Sequence, residues 1–122
     1  MKVLASEQVI FYDIDNTIAI WGKIQKGQKS FSVTCPYTGE QYLLRPHAAH
    51  IKILKDRKSR GATNIVWSAG GYAWAKAVIE ALGLQKYVTL IMSKPILYVD
   101  DKPAQEILGE RLYLPFDDKY GT

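Results

Sequence analysis

A single cysteine, Cys35, stands in 122 residues. That excludes an internal disulfide and any thiolate cluster for zinc, and it makes the reducing cytoplasm the default compartment. Long apolar runs are missing too. No stretch approaches the roughly 20 residues that span a bilayer, so no membrane association is expected. The opening Met1-Lys2-Val3-Leu4-Ala5-Ser6-Glu7 turns polar too early for an export signal. There is no internal repeat and no low-complexity tract. The chain is long enough for one core and too short for two, so a single domain over 1–122 is expected. Histidine is scarce as well. His47 and His50 are spaced one short of the usual i, i+4 metal pair and are expected on a helix surface.

Acidic residues are the minority: 12 against 16 lysines and arginines, for a net charge of +4. The excess is concentrated. Residues 18–60 carry nine basic side chains against Glu40 and Asp56, so the rest of the chain is net acidic. Lys52 to Arg60 read mostly as a solvated helix face. A basic wall in 23–60 would also draw phosphate esters or nucleic acid towards a nearby site. Apolar content of 48% and charged content of 23% are ordinary for a globular protein.

The most informative segment is Phe11-Tyr12-Asp13-Ile14-Asp15-Asn16-Thr17. Val9 to Tyr12 has the apolar character of a buried strand, and it ends in two carboxylates and a hydroxyl. Two like charges so close must be offset by a cation, a proton or hydrogen bonds. Taken alone, the segment equally describes an Asx turn closing a strand. Three later runs add to it. Ile65-Val66-Trp67 ends in Ser68-Ala69-Gly70-Gly71. Val88 to Met92 ends in Ser93-Lys94-Pro95. Ile96-Leu97-Tyr98-Val99 ends in Asp100-Asp101. Ligands of open α/β sheets bind at the carboxyl ends of the strands, which would gather these groups around one pocket.

This ordered set resembles the haloacid dehalogenase superfamily of phosphotransferases. Asp13-x-Asp15-x-Thr17 matches its first motif, Ser68 its second, Lys94 its third and Asp100-Asp101 its fourth, over about Val9 to Pro103. The resemblance implies a Rossmann-like parallel sheet with helices on both faces. It assigns Asp13 as the nucleophile that forms an aspartyl-phosphate. Asp15 would protonate the leaving alcohol and then activate water. Asn16, Thr17, Ser68 and the backbone N–H groups of Ala69 and Gly70 would bind phosphate oxygens, and Lys94 would supply the counter-charge. Mg²⁺ is the implied cofactor, held by Asp13, the backbone carbonyl of Asp15 and either Asp100 or Asp101.

Between the motifs, Phe31 to Thr34 and Gln41 to Leu44 read as short strands around the turn Pro36-Tyr37-Thr38-Gly39. Residues 18–44 are therefore expected as a small β-hairpin flap, a minimal cap after the first strand. Helices are expected over His47 to Ser59, stopped by Gly61, and over Tyr72 to Leu82, stopped by Gly83. A third, short helix follows Pro103 and stops near Gly109, and Arg111 to Leu114 reads as a last strand. Trp21 is expected to anchor the flap, and Trp67 and Trp74 to sit in the core.

Within the superfamily, a dehalogenase needs neither a second aspartate nor Mg²⁺, so Asp15 argues for phosphate chemistry. There is no room for the extra domains of a transport ATPase. The expected function is Mg²⁺-dependent hydrolysis of phosphate monoesters. Alternatives are a polynucleotide 3′-phosphatase, a phosphoprotein phosphatase, and a non-catalytic module that binds a phosphorylated ligand. Arg45-Pro46 and Trp67-Ser68-Ala69-Gly70 resemble small phosphatases related to those of the RNA polymerase C-terminal domain. Lys94-Pro95 to Asp100-Asp101-Lys102 resembles capsule-sugar-type small phosphatases instead. The substrate class stays open between them.

Overall fold

The computed structural model describes residues 8–116. In chain order the elements are β1 (Val9–Asp13), β2 (Ala19–Ile20), β3 (Phe31–Thr34), β4 (Gln41–Pro46), α1 (Ala48–Ser59), β5 (Thr63–Ser68), α2 (Tyr72–Ala81), β6 (Leu90–Ser93) and α3 (Ala104–Ile107). A 3₁₀ turn, Gln85–Tyr87, precedes β6. Among the described residues no helix is long and apolar enough to cross a membrane.

The architecture is mixed α/β. One sheet is parallel, in the order β1-β5-β6, with Asp13 opposite Trp67 and Ser68 opposite Ser93. The other is antiparallel, β2-β4-β3, and contains the expected hairpin, which extends to Pro46. Its Val33 and Leu44 are buried in the same apolar cluster as Tyr12, Val66 and Trp74, so the hairpin shares the main core.

Alternation along β5 sets the layers. Asn64, Val66 and Ser68 point into the core, whereas Thr63, Ile65 and Trp67 are only partly covered. Tyr12 lies opposite Val66 and shares its face. The buried residues Leu54 of α1 and Val78 and Ile79 of α2 join the same cluster. Both helices therefore cover one face, which corrects the expectation of helices on both. The order β1-β5-β6 steps one way across the sheet, and right-handed crossovers stepping one way carry their helices to the same side. On the other face Val9, Phe11 and Leu90 are exposed, and Phe11 stacks on Trp67 at 4.3 Å between ring centres.

Asn64 ties the layers together. It accepts the Tyr12 hydroxyl at 3.0 Å and donates to the carbonyls of Leu54 and Tyr87, both at 2.9 Å. Both long helices end as the glycines imply. After α2 the N–H of Gly83 bonds the Glu80 carbonyl and that of Leu84 bonds Ile79, a Schellman pair with Gly83 at φ 68°. Leu84 and Ile79 are both buried, which supplies the apolar contact that accompanies this motif. The same pattern of bonds joins Gly61 to Lys58 and Ala62 to Arg57 after α1.

Two expected strands do not form. Ile96 to Val99 is unpaired, and all four side chains are exposed. Only Lys94 and Pro95 separate this segment from β6, whereas a parallel neighbour needs a crossover of about a dozen residues or more. Arg111 to Leu114 is also outside any sheet. Its backbone bonds go to side chains: Leu114 donates its N–H to His50 Nε2 at 2.8 Å, and its carbonyl accepts from His47 Nε2 at 2.9 Å.

Those two histidines are buried, contrary to the surface position expected of them. Their rings stack at 3.7 Å. The network fixes their tautomers. His50 accepts at Nε2, so its Nδ1–H donates to the Thr17 carbonyl at 2.7 Å. His47 caps α1 by accepting the His50 N–H at Nδ1, and it donates from Nε2.

Candidate active site

β1 ends at Asp13, and the chain then folds into a tight turn in which the N–H groups of Thr17, Ile18 and Ala19 all point at the Ile14 carbonyl. Asn16 holds φ 63°, a conformation asparagine tolerates better than most residues. This turn brings Thr17 back beneath Asp13. Thr17 Oγ1 donates to Asp13 Oδ2 at 3.0 Å, and Lys94 Nζ pairs with Asp13 Oδ1 at 3.0 Å. Lys94 is fixed at its own backbone, whose N–H donates to the Ser68 carbonyl at 2.9 Å. Its ammonium also lies over the Trp67 ring. The first and third motifs thus meet, and one cation directly offsets one carboxylate.

Asp15 is held more tightly still. Its Oδ1 accepts from Trp21 Nε1 at 2.9 Å and from Trp74 Nε1 at 3.0 Å, and its Oδ2 accepts from Ser68 Oγ at 3.1 Å. Three of its roughly four acceptor positions are taken, and the open one is on Oδ2. Trp74 is buried, as a core residue should be, but Trp67 is only partly covered and stacks on Phe11 on the outer face, contrary to the core position expected of it. Trp21 is partly exposed and packs against Tyr42 of the hairpin and Trp74. The grip of Trp21 and Trp74 on Asp15 was not visible in the sequence. The signal that could have suggested it is chemical: a buried indole needs an acceptor for its N–H.

Several expected phosphate ligands have other work. Ser68 is fully buried, and its Oγ also accepts the Gly70 N–H at 2.9 Å, so both groups are committed to the turn. Asn16 does not aim its side chain at a phosphate position. Its Oδ1 accepts the Trp21 N–H at 3.1 Å, and its carbonyl accepts from the Tyr113 hydroxyl. Ala69 is exposed beside this turn. Asp100 and Asp101 are not brought to the site. Both are exposed on the unpaired segment, and Asp100 Oδ1 accepts the Lys102 N–H at 2.9 Å. Their displacement follows from the missing strand that was to carry them. Among the described residues no cluster of three or more His, Cys, Asp or Glu side chains could hold a metal ion.

A cavity of about 590 Å³ opens over these groups, lined by Asp13, Asp15, Thr17, His50, Trp67 and Lys94 among others. Its cations are Lys94 and Arg111. None of the basic residues of 23–60 lines it. Arg45 is buried, donating to the Trp21 carbonyl, and Arg60 pairs with Asp56. Burial lowers the His50 imidazole below its ordinary range, and the neighbouring His47 adds to this. The bond to the Thr17 carbonyl opposes it.

No protein family, curated protein or solved structure matches this chain.

Proposed function

We propose that this chain is a phosphoric monoester hydrolase of haloacid-dehalogenase type that works through an aspartyl-phosphate. The observation that carries the reading is the pairing of Asp13 with Lys94 at 3.0 Å, beside Asp15, in a cavity at the carboxyl end of a parallel sheet. A carboxylate attacking a phosphoryl group meets negative charge, and the Lys94 ammonium offsets it on both partners. Asp13 attacks phosphorus, the phosphorus–ester oxygen bond breaks, and the leaving oxygen takes a proton from Asp15. Asp15 then takes a proton from water, which attacks the acyl-phosphate, releases phosphate and restores Asp13. Thr17 and the two indoles hold the carboxylates in place for these steps.

Mg²⁺ belongs to the proposal through the superfamily resemblance. Asp13 and the backbone carbonyl of Asp15 are suitable oxygen donors. The described residues do not complete a ligand set with them, because Asp100 and Asp101 stand outside the cavity.

The test is phosphate release from 4-nitrophenyl phosphate with Mg²⁺, with EDTA, and with Asp13→Asn. Turnover that disappears in both controls is expected. No turnover of this ester, of an oligonucleotide 3′-phosphate or of a phosphopeptide by the folded protein would overturn the hydrolase. Stoichiometric phosphopeptide binding in that case would identify a binding module.

A further inference from the structure

A second cavity, of about 290 Å³, adjoins Asp15 on the hairpin side and is walled by the rings of Trp21, Tyr37, Tyr42 and Trp74. Among the described residues Asp15 is the only charged side chain lining it, and it lines the first cavity as well. The two cavities therefore meet at the group that faces the leaving oxygen in the proposed reaction.

The ring geometry selects among ligands. A flat aromatic group would need a slot between two near-parallel walls. Trp21 and Trp74, the most nearly parallel of the three rings that touch one another, are only 5.9 Å apart between ring centres and leave no such slot between them. The other walls are steep: Tyr42 stands at 90° to Trp74, and Trp21 at 62° to Tyr42. Ring walls set across one another suit a compact cation, which each ring attracts through its face. Charge agrees. Glu40 accepts the Tyr42 hydroxyl at 2.7 Å, which puts a carboxylate beside that wall. Tyr37 closes the hairpin side, and its hydroxyl lies where a Cβ on Gly71 would be.

We propose that this cavity is a cage for an organic ammonium group, so that the substrate is the phosphate ester of an amino or quaternary-ammonium alcohol. The cage holds the cation while the phosphoryl group lies at Asp13 and Lys94. The assignment of the cation to a substrate rests on the hydrolase reading; the cage itself does not.

The probe is tetramethylammonium, titrated into the intact chain at constant ionic strength and followed by tryptophan fluorescence, with neopentyl alcohol as the neutral control of similar shape. Saturable binding at least about threefold tighter than the alcohol is expected, as is weakening of about threefold or more on Tyr42→Leu. Tyr37→Leu, at the exposed hairpin tip, gives a second reading if Tyr42→Leu fails to fold. Equal binding of the neutral alcohol, or no saturation by the folded protein, overturns the cage. Hydrolysis of 4-nitrophenyl phosphate without tetramethylammonium binding removes the cage and leaves the hydrolase. Binding with no ester hydrolysed keeps the cage and removes the hydrolase. With both intact, kcat/KM for phosphocholine should exceed that for a neutral alkyl phosphate by about tenfold or more.

Discussion

Asn64 should be the most consequential polar side chain in the core, and its replacement has a sign that can be worked out. It is fully buried, with all three side-chain bonds made inside the protein. Asn64→Leu keeps the volume and removes the bonds. The Leu54 carbonyl still has its helix partner, so the main losses are at the Tyr12 hydroxyl and the Tyr87 carbonyl. Each buried orphan costs about 1–3 kcal/mol, or about 2–6 kcal/mol together. A chain of this length has a total stability on the order of 6–18 kcal/mol. The urea midpoint should fall by about 2 M with an unchanged slope. Tyr12→Phe alone should cost about 1–2 kcal/mol, because it orphans the Asn64 oxygen. In the Asn64→Leu background the same change deletes an orphan hydroxyl, so it should be neutral or stabilising. Equal costs of Tyr12→Phe in both backgrounds would refute the network. Alkali gives a second reading. Burial pushes the Tyr12 phenol up to about 12, with a smaller opposing effect from Arg57. The unfolded chain ionises first, so this contribution is complete below about pH 10 and is lost as pH rises towards 12. Tyr12→Phe should remove that part of the alkaline loss.

His50 should make the protein acid-sensitive. Its imidazole is held below the ordinary value, so the unfolded state takes up the proton first, and stability should fall as pH drops below about 6.5. The protection factor of the Leu114 amide, which uses His50 Nε2 as acceptor, should fall over that range once the slower intrinsic exchange at low pH is divided out, and protection unchanged to pH 5 would contradict this. Trp74→Phe keeps the ring and deletes one donor to Asp15. Since bonds to charged groups are worth about 1.5–3 kcal/mol, kcat on an aryl phosphate should drop about tenfold or more while Trp21 still holds the same oxygen. Gly71→Ala forces a side chain onto φ 101° and against the Tyr37 hydroxyl, and should cost about 1–3 kcal/mol in thermal or urea unfolding. Tyr37→Phe should restore part of that loss, and no rescue would mean that the contact is unimportant.

What the sequence made legible was local. The strand over Val9 to Tyr12, which the structure extends to Asp13, the hairpin around Pro36 to Gly39, and both long helices with their glycine stops follow from apolar patterning and turn chemistry, which act within a few residues. The meeting of Asp13 with Thr17 and Lys94 was legible too, because strand ends in a parallel sheet share one edge. The failures lie where a distant partner decides. Ile96 to Val99 has strand composition but too short a connection from β6 to reach a parallel place. Arg111 to Leu114 has strand composition but finds its bonds in two histidine rings. The spacing of His47 and His50 put them on one helix face. Whether that face met solvent or protein depended on a segment more than sixty residues later. Asp15 and its indoles were opaque for the same reason, since Trp74 lies 59 positions away.

The hairpin is better understood as a fixed wall than as a moving cap. A lid must open at small cost, yet Val33 and Leu44 are buried in the cluster that includes Trp74 and Ala75 of α2. Exposing two such side chains costs about 3–6 kcal/mol. A lid state that unfavourable would be populated well below one molecule in a hundred. The hairpin also carries Trp21, whose N–H shares an oxygen of Asp15 with Trp74. Swinging it away would release half of the indole grip on the proposed acid–base group. Substrate selection by this protein should therefore come from the shape of a standing pocket. Replacing Val33 with a charged residue should weaken catalysis and folding together, whereas a true lid residue would alter catalysis with folding unchanged.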